Sequence, residues 1–204
     1  MKSQTWKATA VLISTASVCL GARDRLTVEV RDHAGLPKDV LSGALDTVGA
    51  TMHRVGIDTV WSVCPSTHGI VDCPEPLAPS SGLCVRVIIA ARSAHPLAGA
   101  PIDQGGFAFS GEVALGQPRA WVFYPMVQWM AHATSRSTAL VLAGVLIHEI
   151  GHVLGLKHHS SGIMQPALKP RDLDELSRCR AFSPAEAKQL RGGVTRLNAA
   201  SPND

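Results

Sequence analysis

The chain has 204 residues, of which 46% are hydrophobic and 17% are charged, a composition typical of a globular protein and not of a disordered one. The formal net charge is only +3, and Lys2 and Lys7 near the N-terminus supply two of these charges, so the sequence predicts no nucleic-acid-binding face. No segment of about 20 to 50 residues repeats, which excludes solenoids, coiled coils and collagen-like rods.

Residues 1–22 have the profile of a signal peptide. Two lysines and no acidic residue precede an apolar stretch at 8–20, which Gly21 and Ala22 follow. The stretch is too short to cross a bilayer core of about 30 Å as a helix. We therefore expect no stable membrane span, and a mature protein that is secreted or periplasmic.

Removal of such a leader takes Cys19 with it and leaves four cysteines, at positions 64, 73, 84 and 179. An even number in an exported chain indicates two disulfides. The turn-rich loop between Cys64 and Cys73 favours a bond between these two, which pairs Cys84 with Cys179. A second metal site built from Cys64, His68 and Cys73 is the alternative, but it lacks a clear fourth ligand.

The next part of the chain alternates extended and helical patterns. Apolar and polar residues alternate at 26–30, which predicts a strand, and apolar residues three and four apart at 39–55 predict an amphipathic helix. Further strands are predicted at 57–63, 84–91, 106–110 and 120–124. Five strands and few helices favour an α+β fold with one mixed sheet.

A long helix of very low charge follows, beginning after Ser137 or Thr138 and ending at Gly155. A helix with so few charges is expected to lie buried against the sheet. Residues 160–182 have no periodic pattern and are predicted to be a loop. Ser183 and Glu186 form a capping-box pattern that begins a short helix ending at Gly192.

The candidate chemistry lies at the end of the long helix. His148 and His152 are four residues apart, so one helical turn places both imidazoles on the same face. Gly155 allows a sharp turn after the helix, and His158 can then return as a third ligand to the same ion. Three nitrogen ligands leave the fourth tetrahedral position of a single Zn²⁺ for water, as in catalytic sites. Glu149 lies within reach of that water without being a ligand, and is the candidate general base.

These residues resemble the metzincin clan of zinc peptidases, whose HExxHxxGxxH signature and methionine turn are matched by His148 to His158 and by Met164. The resemblance implies a twisted five-stranded mixed sheet, an active-site helix and a small C-terminal subdomain. Residues 23–155 would form the upper part of the domain and 156–204 the lower part. Gly155 and Met164 would support the site, with Met164 packed beneath the zinc-binding imidazoles.

By the same resemblance, the strand at 106–110 would be the sheet edge that pairs with an extended substrate, through Gly106, Phe107, Ala108 and Phe109. The residue after the third ligand is His159, which matches none of the best-known subfamilies and could compete with His158 for the metal. Pro166 stands two residues after Met164, where some subfamilies have a tyrosine.

The remaining histidines lack ligand spacing and are expected on the surface or in loops; they are His33, His53, His68, His95 and His132. Asp172, Asp174 and Glu175 are expected to form a solvated acidic face, because they lack the glycines and regular oxygen ligands of a calcium loop.

We therefore expect a monomeric, exported zinc endopeptidase that acts on an extended peptide or protein and binds no nucleic acid. One alternative is a non-catalytic module that keeps zinc for its shape and uses the cleft for binding. The retained Glu149 argues against it, since a retired site is free to lose this residue. The other is a zinc amidohydrolase that acts on small amides or cell-wall peptides, and cleft length would distinguish it from an endopeptidase.

Overall fold

The structure is a computed structural model, and it describes residues 23–64, 66–67, 70–71, 84–91, 106–109 and 118–200. The signal-peptide prediction and the predictions for Cys73, His68 and His95 lie outside these residues. Within them, the secondary-structure elements are, in chain order, β1 (Asp24–Asp32), α1 (Lys38–Arg54), β2 (Ile57–Cys64), β3 (Ser66–Thr67), β4 (Ile70–Val71), β5 (Val85–Ala90), β6 (Gly106–Phe109), β7 (Arg119–Phe123), α2 (Tyr124–Thr134), α3 (Thr138–Val153), α4 (Pro170–Ser177) and α5 (Pro184–Ala199).

The main sheet has five strands in the order β2-β1-β5-β7-β6. The first four strands of this order are parallel to one another, and β6 runs antiparallel to β7 at one edge. This confirms the predicted five-stranded mixed sheet. A separate two-stranded antiparallel sheet is formed by β3 and β4, which the sequence pattern did not predict.

One apolar core joins the sheet to the long helices. In β1, Leu26, Val28 and Val30 are buried and alternate with more exposed residues, so a single face of the strand carries the core side chains. Every residue from Val141 to Gly151 in α3 is buried, as its low charge predicted. The helix therefore reaches the site with little freedom to move, because close packing surrounds it.

Three helical segments differ from the sequence prediction. Residues 170–177 form α4 and not a loop, and Leu173 and Leu176 are the apolar side chains that bury it. Tyr124 begins α2 instead of ending a strand. The last helix passes Gly192 and continues to Ala199, because Gly192 and Gly193 permit close packing and do not end the helix.

The predicted disulfide between Cys84 and Cys179 is wrong, because both cysteines are free. Cys84 lies beside Glu29, on the sheet face that points away from the apolar core, where burial raises the pKa of its thiol. Cys179 follows α4, which packs against α3 in the core layer. The two thiols thus lie on opposite sides of the sheet. The predicted Cys64–Cys73 bond stays a prediction, since Cys73 is outside the described residues.

A group of charged side chains crosses the sheet on the face opposite the core. Oε1 of Glu29 in β1 accepts hydrogen bonds from Nε of Arg86 at 2.8 Å and from Nε of Arg31 at 2.5 Å. Burial alone would raise the pKa of Glu29, but the hydrogen bonds and charges of Arg86 and Arg31 outweigh burial and lower it. The ionised carboxylate therefore helps to hold β1 against β5.

Glu29→Gln is expected to lower the free energy of unfolding by about 1.5 to 3 kcal/mol at pH 7, since hydrogen bonds to a charged group are lost. Because the folded pKa lies below the ordinary value of 4.5, this contribution is present above pH 4.5 and is lost as the pH falls through the folded pKa. Urea denaturation at pH 7 and at about pH 3 measures the difference, which should shrink in acid.

The control is Glu175→Gln, which removes an exposed ion pair with Arg178 and should cost less than about 1 kcal/mol at either pH. A gap between wild type and Glu29→Gln that does not change with pH would contradict the role given to this carboxylate.

A close helix contact gives a second test of the fold. A Cβ added to Gly193 in α5 would lie 2.2 Å from the carbonyl oxygen of Leu154, whereas one added to Gly192 would have only an ordinary 3.5 Å contact with Nη1 of Arg196. We expect Gly193→Ala to destabilise the protein by at least about 1 kcal/mol through this clash. Gly192→Ala should leave stability unchanged or raise it by up to about 1 kcal/mol, because alanine favours helix. Equal unfolding midpoints in urea for the two variants would show that α5 does not pack in this way.

Candidate metal centre

The helix α3 supplies the first two candidate ligands. Its N-terminus is capped by Ser137, whose hydroxyl accepts a hydrogen bond from the Leu140 N–H at 3.2 Å. His148 and His152 project from the same face in the last turns, and their Nε2 atoms are 3.0 Å apart. The spacing of four residues thus brings the two imidazoles together as the sequence predicted.

A sharp turn after α3 brings in the third ligand. The helix ends at Val153, and Gly155 takes a positive φ of 96°, a conformation that other residues rarely adopt. The Leu156 N–H donates to the Gly151 carbonyl at 2.8 Å, which closes the end of the helix. The chain then returns, and Nε2 of His158 lies 3.3 Å from Nε2 of His148.

Hydrogen bonds to backbone carbonyls fix the protonation of two of the rings. Nδ1 of His148 donates to the Ile163 carbonyl at 2.7 Å, and Nδ1 of His152 donates to the Leu156 carbonyl at 2.9 Å. A carbonyl can only accept, so the proton of each neutral ring is on Nδ1 and the lone pair of Nε2 faces the cluster. Burial is the main cause that lowers the pKa of His148 to about 4, and it also lowers the pKa of His152, which favours the neutral, ligating form.

The three rings fit a zinc ion. One nitrogen from each of His148, His152 and His158 lies within 4.8 Å of the others, and this is the one group of three or more potential ligands among the described residues. Zn–N bonds of about 2.0 to 2.1 Å in tetrahedral geometry separate the nitrogens by about 3.3 Å. The measured separations of 3.0 and 3.3 Å agree with that value. The residues present therefore match the donor set and the spacing of a three-histidine zinc site.

Glu149 occupies an unusual environment beside the ligands. Its side chain is buried, and within the described part of the structure its Oε2 has no hydrogen-bond partner. Burial raises the pKa of this carboxyl to about 8. Burying a carboxyl oxygen without a hydrogen-bond partner is costly, which makes Glu149 a candidate functional residue.

Met164 supports the zinc helix from below. The side chain is fully buried, and a Cβ on Gly151 would lie 2.8 Å from its sulfur, so the methionine packs directly against the helix between the two ligand turns. Its carbonyl accepts a hydrogen bond from the His159 N–H at 2.9 Å. The loop from His159 to Met164 is thereby closed, and it places the Ile163 carbonyl where it orients His148.

His159 does not compete for the metal position. It is exposed, and its Nε2 lies 3.9 Å from Oε1 of Glu186 in α5, outside the histidine cluster. The structure therefore assigns the third position to His158. His33, His53 and His132 are exposed as expected.

The acidic group in the lower part is not the solvated face that we expected. Asp172 is buried and accepts hydrogen bonds from the Lys169 N–H at 2.8 Å and from the side chain of Gln165. Asp174 and Glu175 form ion pairs with Arg136 and Arg178. Asp172 thus links α4 to the residue that follows Met164. Pro170 at the start of α4 is the sequence signal that places Asp172 in the first turn of a helix.

The edge strand contacts the helix that carries the first two candidate ligands. In the described part of the sheet β6 pairs with β7 alone, and it also contacts α3. The position of Gly106, Phe107, Ala108 and Phe109 at a sheet edge agrees with the prediction, and their role in binding substrate stays a prediction.

Comparisons with known proteins agree with this fold and site. A family model described as Matrixin matches residues 94–178, less than half of the chain but including all three histidines. Archaemetzincin from Methanopyrus kandleri superposes with a TM-score of 0.52 at 14% sequence identity, over 88% of this chain and 99% of that one. Metalloproteinase-II from Bacteroides fragilis gives a TM-score of 0.52 at 13% identity, over 84% of this chain and 53% of that one. No curated protein sequence matches the chain.

The fold is thus a metzincin-like α+β fold, and residues 94–178 and the histidine cluster resemble the zinc-binding domain of zinc metallopeptidases. The family match and the histidine cluster together support Zn²⁺ as the cofactor, held by His148, His152 and His158.

The adjacent histidines provide a matched test of the ligand set. His158→Ala is expected to weaken zinc binding by about 100-fold or more, because two imidazoles alone hold zinc poorly. His159→Ala should leave the zinc Kd within about twofold of wild type. Competition with a chromophoric chelator measures both values, and equal losses in the two variants would overturn the assignment of His158.

Proposed function

We propose that the protein is a secreted zinc-dependent endopeptidase in which Glu149 is the general base. The observation that carries this proposal is the buried carboxyl of Glu149, whose Oε2 has no hydrogen-bond partner among the described residues and which lies one residue from a ligand of the three-histidine site. A carboxyl with a free oxygen in such a place is suited to exchange a proton with a molecule in the cleft.

The chain's own residues divide the reaction between them. When bound, zinc supplies a Lewis acid that lowers the pKa of a coordinated water to about 7 and polarises a peptide carbonyl. Glu149 accepts the proton of the attacking water and then donates it to the nitrogen of the leaving amine. The surrounding apolar helix excludes solvent, which strengthens the interaction of this carboxylate with charge in the site.

The sheet edge supports an extended substrate. A strand at the edge of a sheet can add a peptide through main-chain hydrogen bonds, and in the described part of the sheet β6 is an edge strand that contacts α3. A peptide held along Gly106 to Phe109 would present one of its central bonds to the site. This arrangement favours cleavage within a chain over hydrolysis of a small amide.

Export is proposed from the leader pattern at 1–22. No helix among the described residues is long and apolar enough to cross a membrane.

Glu149→Gln is expected to keep one zinc per chain and to lower the rate of cleavage by at least about 100-fold, because the variant binds the metal but cannot accept the proton. Digestion of a denatured protein by the zinc-loaded, leader-free enzyme provides the assay, with Glu175→Gln as a control that should cleave at the wild-type rate. A variant that cleaves as fast as wild type would remove Glu149 from the mechanism.

A peptide-library digest separates the candidate functions. The endopeptidase should show preferences on both sides of the cleaved bond and should lose activity on treatment with a chelator. An amidohydrolase that acts on small amides or cell-wall peptides would show no preference beyond the residues next to the cleaved bond. A non-catalytic binding module would bind one zinc per chain and cleave no peptide.

A further inference from the structure

The last helix, α5, contacts the zinc-binding segment although it lies beyond the residues that match the family model. That match ends at residue 178, whereas α5 begins at Pro184. The backbone of Gly193 approaches the Leu154 carbonyl so closely that no side chain fits between them. The helix therefore packs directly on the turn that leads from His152 to His158.

Two side chains of α5 donate hydrogen bonds to this turn. Nε2 of Gln189 donates to the Gly155 carbonyl at 2.7 Å, and Nη2 of Arg196 donates to the Leu154 carbonyl at 3.3 Å. Carbonyls at the end of a helix lack helical partners, and the positive charge of Arg196 also suits the negative end of the helix dipole. The two residues thus fix the orientation of both peptide groups at the glycine turn.

The third ligand depends on that turn more than the other two ligands do. His148 is buried and bonded to the Ile163 carbonyl, and His152 is half-buried and bonded to the Leu156 carbonyl. His158 is exposed, and within the described residues no backbone carbonyl orients its ring. Its position is therefore set by the backbone between Gly155 and His158.

We propose that Gln189 and Arg196 are positioning residues, which hold the glycine turn so that His158 stays within reach of the zinc. The inference rests on the zinc site of the proposed function. It gives α5, a helix that contributes no candidate ligand, a role in positioning one.

The chain offers a matched control on the same helix. Nη1 of Arg191 donates to the Val55 carbonyl at 2.7 Å, at the end of α1, and so makes the same kind of contact with a helix that carries no ligand. Arg191→Met should lower stability as Arg196→Met does, but it should not affect the zinc site.

The experiment measures the zinc Kd by competition with a chromophoric chelator, together with the visible spectrum of the cobalt(II)-substituted protein. We expect Gln189→Leu combined with Arg196→Met to raise the zinc Kd by about tenfold or more and to alter the cobalt spectrum. Lysine instead of methionine at position 196, with Gln189→Leu kept, should restore much of the zinc affinity, since Arg196→Lys can still donate to the Leu154 carbonyl. Arg191→Met should keep the Kd within about twofold of wild type.

A double variant with the wild-type Kd and spectrum would overturn the proposal, and so would an Arg191→Met variant that loses affinity equally. If the double variant does not fold, Gln189→Leu alone decides the question, because Gln189 is exposed and its loss removes a single bond to the turn. Failure of wild type to bind zinc would instead refute the zinc site itself, and the two failures are thus distinguishable.

Discussion

Three neutral imidazoles whose nitrogen lone pairs point at one another repel unless a cation lies between them. Here the Nε2 atoms of His148 and His152 are 3.0 Å apart and that of His158 is 3.3 Å from the first. Two of the rings cannot relieve the repulsion by carrying the proton on Nε2, because Nδ1 of each already donates to a backbone carbonyl. The arrangement therefore favours a bound cation, and the rest of the structure holds the three rings in place.

The apolar character of α3 serves both packing and chemistry. A helix buried on every side gives the ligands a rigid base, and it also removes solvent from around Glu149. In such a low-dielectric setting a carboxylate interacts strongly with a nearby cation, and its pKa without the metal is raised to about 8. A zinc ion bound nearby would stabilise the ionised form of this group, which is the form that the proposed general base requires.

The sequence predicted the candidate site better than it predicted the helices of the lower part. His148, His152 and His158 follow from helical geometry and one glycine, which are local rules, and the five strands follow from local patterns of apolar residues. The helix α4 was not predicted because only two apolar side chains, Leu173 and Leu176, bury it. The extension of α5 was not predicted because Gly192 and Gly193 resemble a helix end, whereas in the structure Gly193 allows the helix to approach Leu154. The absence of a Cys84–Cys179 bond, and the bonds from Gln189 and Arg196, depend on tertiary contacts that no spacing encodes.

X-ray absorption at the zinc edge of the metal-loaded protein tests the central claim most directly. The account predicts three imidazole nitrogens at about 2.0 to 2.1 Å from the zinc and one oxygen that comes from water and not from a side chain of the protein. Glu149→Gln should therefore leave the spectrum unchanged. A site with fewer than three imidazoles, or a first shell that changes when Glu149 is replaced, would contradict it.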